Sequence, residues 1–88
     1  MDLLEVEIDQ NRVIAFDGRV LEVFGGSVRR FHIELLAVNV SSPDKNGVRQ
    51  VMLQQPGTET GVPLDEAAFE KFQPVPDALQ GAGVRVTT

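Results

Sequence analysis

Three side chains within four residues, Arg29, Arg30 and His32, form the one close basic group in this chain. Guanidinium and imidazole groups so spaced suit a small anion or a peptide carboxylate, and the backbone N–H groups of Gly25 and Gly26 lie just upstream to assist. Strand alternation puts Arg30 and His32 on one outward face with Glu34, and Arg29 on the other side or in the turn. The plainer reading is a solvated sheet face on which Arg30 and Glu34 partly neutralise each other, since exposed charge pairs are common and weak. Arg12 is the remaining candidate for ligand or partner contact.

Other chemistry is poorly served. His32 is the sole histidine and there is no cysteine, so no metal-ligand spacing, thiolate nucleophile or disulfide framework is present. Ser27 and His32 share one strand with no oxyanion device, which does not make a triad. Glu5, Glu7 and Asp9 line one face of a first strand, where acids more often block unwanted strand pairing than hold a cation. Asp44-Lys45-Asn46-Gly47 lacks the later ligands of a calcium loop and reads as a turn. The chain therefore reads as a non-enzyme with no cofactor and no bound metal.

The totals narrow the partners. An 88-residue chain makes a single domain, 1–88, that can bury about 60 to 65% of its unfolded surface. Thirteen acids against eight bases give a net charge of -5, which argues against nucleic acid and anionic bilayers. The N-terminal MDLLEVEID has no basic segment, and no apolar run approaches the roughly 18 residues of a membrane span. A cytoplasmic protein without membrane insertion is expected.

The elements that must position these groups are mostly strands. Leu4, Val6 and Ile8 alternate with Glu5, Glu7 and Asp9. Arg12 to Phe16 and Arg19 to Phe24 follow, separated by Asp17-Gly18, a pair suited to a type I′ hairpin. Phe24-Gly25-Gly26-Ser27 makes the next connection. The stretch Val28 to Gln54 organises the rest: apolar residues alternate through Phe31, Ile33 and Leu35, change phase at Leu36, Val38 and Val40, and resume after PDKNG at Val51 and Leu53. The phase change at Leu35-Leu36 predicts a bulge or short break. Gln55 to Gly61 reads as a polar loop and Val62-Pro63-Leu64 as at best a short edge strand. Asp65 is an N-cap, and Phe69, Phe72, Pro76 and Leu79 form an apolar stripe along a helix. Pro74 and Pro76 should end a first helix near Phe72, with a second turn starting at Pro76 and stopping at Gly81 or Gly83. Val84 to Thr88 is a final β pair or a tail.

Phe31-His32-Ile33-Glu34-Leu35-Leu36-Ala37-Val38-Asn39-Val40, a polar stretch, Asn46-Gly47, a strand, and Leu64-Asp65-Glu66-Ala67-Ala68-Phe69 together resemble the bacterial pleckstrin-homology-like domains. The resemblance spans nearly the whole chain and is one of hydrophobicity and turns. It implies a mainly β (α+β) fold, a partly open antiparallel barrel or sandwich of about seven strands capped at one end by a kinked C-terminal helix. It departs at Pro74 and Pro76, which interrupt the helix, and between the first two strands, where only Arg12 matches the basic residues of lipid-binding members. Phosphoinositide binding is not implied. The function implied is a small non-catalytic binding or scaffolding module for a protein or peptide, by strand addition at an open edge or in a groove between the helix and the Gly47 to Gln54 strand. Acidic surroundings favour a basic or neutral partner. The alternatives are a structural homo-oligomer assembled through sheet edges and weak anionic-lipid binding through Arg12, Arg29 and Arg30.

Overall fold

In the computed structural model, which describes residues 3–88, tight turns convert the alternating runs into two four-stranded sheets. The first holds β1 (Leu4–Glu7), β2 (Val13–Phe16), β3 (Val20–Gly25) and β4 (Ser27–His32) in sequence order, all antiparallel. The second holds β5 (Ala37–Val40), β6 (Arg49–Gln55), β7 (Thr58–Leu64) and β8 (Arg85–Thr87) in the order β7-β6-β5-β8. Helices α1 (Glu66–Phe72) and α2 (Pro74–Gly81) stand between β7 and β8. The sheets are open and do not close into a barrel, and the Cα radius of gyration of 12.1 Å is what a compact domain of this length has, about 12 Å. No helix among the described residues is long and apolar enough to cross a membrane.

The core lies between the sheets and under the helices. Phe16, Leu21 and Phe31 from the first sheet meet Val38, Leu53 and Val51 from the second, with Phe72, Val75 and Leu79 closing over them. Among the described residues no polar side chain is buried, so the interior is held by apolar packing and backbone pairing alone.

The break expected at Leu35-Leu36 is a 3-10 turn over Ile33–Leu35. It carries the chain from the edge of the first sheet into the second, so the stretch Val28 to Gln54 belongs to both sheets. Leu36 faces the core while Leu35 is exposed, which is how two adjacent leucines avoid competing for one face.

Several local expectations are corrected. Phe16 lies opposite Leu21, so Asp17 and Val20 flank a two-residue loop of Gly18-Arg19, not Asp17-Gly18. Gly18 has φ +98° and no non-glycine residue described has positive φ, so the two successive positive φ angles of a type I′ turn do not occur here. Asp17 instead stays outside the loop and accepts hydrogen bonds from the N–H groups of Arg19 and Val20, both at 2.8 Å. Thr58–Gly61 is strand rather than loop, because Pro56-Gly57 closes a tight hairpin and β7 pairs with β6 over its whole length. Val84 precedes an eighth strand, and β8 runs parallel to β5. Parallel pairing needs a crossover, and the two helices supply it.

The helix reading is adjusted in the same way. Asp65 caps α1 by accepting from the Ala68 N–H at 2.8 Å, and α1 ends at Phe72. α2 begins at Pro74, not Pro76; Pro76 falls in its first turn, where a missing N–H costs nothing in helix hydrogen bonds. The buried stripe is Ala68, Phe72, Val75 and Leu79, at spacings of four, three and four. Phe69 and Pro76 lie at its margin, half-buried.

Candidate binding groove

A concavity forms where the loop between β5 and β6 faces α1. Asp44 shapes that loop: its carboxylate accepts from the N–H groups of Asn46 at 2.8 Å and Val48 at 3.0 Å, and Gly47 takes φ +79° to complete the turn. The turn delivers Arg49 to the start of β6, opposite Leu64 and on the core side of the sheet. Its guanidinium lies 4.7 Å over the Phe69 ring and donates to the Ser41 carbonyl at 3.2 Å. Stacking a weakly hydrated planar cation on an aromatic face holds both side chains in place. Phe69 in turn stands 6.2 Å from Phe72, centre to centre, and so ties the rim to the core.

The opposite wall is one face of the helical segment. Glu66, Phe69, Glu70 and Gln73 recur at i, i+3, i+4 and i+7, and with Pro43, Gly47 and Arg49 they enclose about 630 Å³. Among the described residues neither Glu66 nor Glu70 has an ion-pair partner. The groove thus offers an aromatic floor, a proline edge and two free carboxylates. It can hold an apolar side chain against Phe69 and a cation against the helix; a nucleophile and a base within reach of one another are not part of its lining. Gly47 and Arg49 come from the segment in which the sequence places a groove, whereas Pro43 and the Arg49–Phe69 stack were not anticipated. The i, i+3, i+4, i+7 repeat of the helix's polar side was the available signal.

The basic candidates are distributed differently from the sequence expectation. Arg12 turns to Asp9, with nitrogen–oxygen distances of 2.7 and 2.9 Å, and also donates to the Pro63 carbonyl on β7. Its stem crosses Gly25, where an added methyl group would sit 2.7 Å from Arg12 Cγ. Arg12 therefore joins the β1–β2 turn to both β3 and the second sheet. The guanidinium, followed by the Asn11 N–H, holds the Asp9 carboxyl below its ordinary pKa.

Arg29 and Arg30 point to opposite sides of β4. Arg29 shares the core-facing side with Val23 but is exposed at the sheet edge, while Arg30 pairs across the strands with Glu22 at 3.0 Å. The expected pairing with Glu34 does not occur, because the chain leaves the strand at Ile33 and Glu34 falls in the 3-10 turn. His32 is exposed opposite Val20, in a depression of about 460 Å³ shared with Arg19 and Glu34. It lies at the far end of β4 from Gly25, Gly26 and Ser27, roughly 17 Å along a five-residue advance. Those backbone N–H groups and that hydroxyl are thus separate from the imidazole. Among the acids, Glu5 and Glu7 stay on the outer face of β1 while Asp9 has turned to Arg12, and no three described His, Asp or Glu side chains gather as metal ligands would.

Compared with known protein families, with curated proteins and with solved structures, the chain gives no match in any of the three.

Proposed function

We propose that the protein is a small non-catalytic binding or scaffolding module of the pleckstrin-homology-like kind, working in the cytoplasm, and that it holds a protein or peptide segment in the groove between α1 and the start of β6. The observation that carries this reading is the pair Glu66 and Glu70, one turn apart on the groove wall beside Phe69 and without an ion-pair partner among the described residues. A segment presenting a lysine or arginine beside an apolar residue meets a complementary surface there, and the surrounding charge of -5 draws such a partner in. The kinship with pleckstrin-homology-like domains is supported by the order of elements: seven successive strands in two sheets, then a helical segment whose apolar stripe covers the core.

The test is an amide-shift titration with short peptides of matched apolar content that are lysine-bearing, neutral or acidic. The lysine-bearing set is expected to move the signals of Gly47, Arg49, Phe69 and Glu70, and the Glu66→Lys/Glu70→Lys double variant to weaken that binding by tenfold or more. Equal responses to acidic peptides, or shifts confined to other residues, would overturn the assignment.

A further inference from the structure

The outer face of the first sheet carries a pattern unrelated to the groove. Strand register places Glu7, Val13, Phe24 and Val28 in one row across all four strands, on the side away from the core. The adjacent row is Glu5, Ala15, Glu22 and Arg30. Phe24 and Val28 are 37% and 54% exposed, side by side, and they border a shallow depression of about 330 Å³ with Val13. An aromatic ring and two valines in contact across neighbouring strands make a continuous apolar ridge on a face that otherwise belongs to solvent.

The charges around the ridge are sorted by strand. The acids Glu5 and Glu7 lie on β1 at one edge and Arg30 and His32 on β4 at the other; the further acid of these rows, Glu22 on β3, is paired with Arg30. Arg30 spends only its Nε on Glu22, and its side chain is 71% exposed, so its two terminal nitrogens remain free to pair. Such a face is complementary to itself. A two-fold axis parallel to the strands, between β2 and β3, lays β1 of one copy over β4 of the other. Glu5 then meets the second copy's Arg30, Arg30 meets its Glu5, and Val13 meets its Phe24. The alternative axis, perpendicular to the strands, lays β1 on β1 and sets acid against acid. Pairing edge to edge along β4 is disfavoured as well, because it runs Arg29 and Arg30 alongside the same two residues of the second copy.

We propose that two copies of this chain associate face to face through the outer side of β1–β4, with Val13, Phe24 and Val28 as the apolar centre and two Glu5–Arg30 pairs as the rim. Aligned sheet packing, about 10 Å apart and rotated by about 30°, accommodates this contact. Four strands of four to six residues present a small face, at the low end of specific interfaces where transient contacts are found, so the dimer dissociates on dilution.

Sedimentation equilibrium from roughly 10 µM to 1 mM at physiological ionic strength tests this, with the net charge of -5 on each copy screened. The apparent mass of the wild type is expected to rise from 9.6 kDa toward twice that value. Phe24→Asp is expected to remain monomeric throughout, with an unchanged thermal transition showing that it is folded. Glu5→Arg alone and Arg30→Glu alone each create two like-charge contacts and should associate at least tenfold more weakly. Their equimolar mixture has both rim contacts opposite in sign again and should associate like the wild type. A wild type monomeric at 1 mM, an unaffected Phe24→Asp variant, or a mixture no better than its components would each overturn the proposal. Glu66→Lys/Glu70→Lys, which alters only the groove, should dimerise normally; loss of association there would move the interface to the helix side.

Discussion

The two sheets share one core and differ on the sides turned away from it. The outer face of β5–β8 carries Asn39, Gln50, Gln54, Glu59, Arg85 and Thr87, with Gln54 donating to Glu59 at 2.8 Å, and its Met52 is tucked against Gly61. The outer face of β1–β4 instead exposes Phe24 and Val28 between sorted charges. Solvent alone explains the former. The latter has a composition that water does not favour, so the two outer faces differ: solvent accounts for one, and the proposed self-contact rests on the other. The groove, with its free carboxylates, lies at the junction of the second sheet and α1, and the two proposed contacts are therefore independent.

Five substitutions break or sharpen this contrast. The inner sides should be equivalent: Phe16→Ala in the first sheet and Phe72→Ala beneath the helices each remove a fully buried ring and should lower stability by about 3 to 5 kcal/mol in chemical denaturation. Both should do so in a single transition. Two separable transitions would mean that the sheets are stabilised independently. Next in size is Arg12→Ala, which removes the charge-assisted hydrogen bond to the Pro63 carbonyl and the stem packed on Gly25; about 1 to 2 kcal/mol is expected. A loss below the error of a urea titration would show that the link between sheets contributes nothing.

Asp65→Ala removes the cap of α1 and should cost about 1 kcal/mol, with the loss concentrated in exchange protection of the first helical turn and little change in β1–β4. The smallest effect belongs to Asp17. The N–H groups of Val20 and then Arg19 hold its carboxyl below the ordinary value, so its contribution is present above the unfolded pKa and is lost as pH falls through the lower, folded one. Asp17→Asn does not titrate. Its urea midpoint should lie below that of the wild type at pH 7, and the gap should narrow on going from pH 5 to pH 2; a gap independent of pH would remove the carboxylate from the account.

Much of the first sheet was legible because its connections are short. Glycine at positions 18 and 26 and the alternation of Leu4 to Ile8 concern neighbours a few residues apart, so propensity and packing agree. The detail that failed there, Gly18-Arg19 in place of Asp17-Gly18, failed because register is decided by which residues pair across the strands, and one position moves the loop. In the second sheet the failures are larger. Thr58–Gly61 looked like a loop because polar residues on an edge strand carry little hydrophobic signal, and β8 could not be assigned since its partner, β5, is more than forty residues earlier. Of the candidate residues, Arg30 and His32 do share a face, but their partners depended on where β4 ended.

Alternation, caps and turn glycines are properties of adjacent residues, and from them the strands, the break at Leu35-Leu36 and the cap at Asp65 can be derived without coordinates. The return of β8 beside β5, the reach of Arg12 to Pro63 and the stacking of Arg49 on Phe69 join positions 20 to 51 residues apart. Such contacts form only after chain closure has been offset by burial of the whole core, so no local pattern encodes them. The groove and the exposed ridge follow from those contacts and from strand register, and both belong to the assembled tertiary structure.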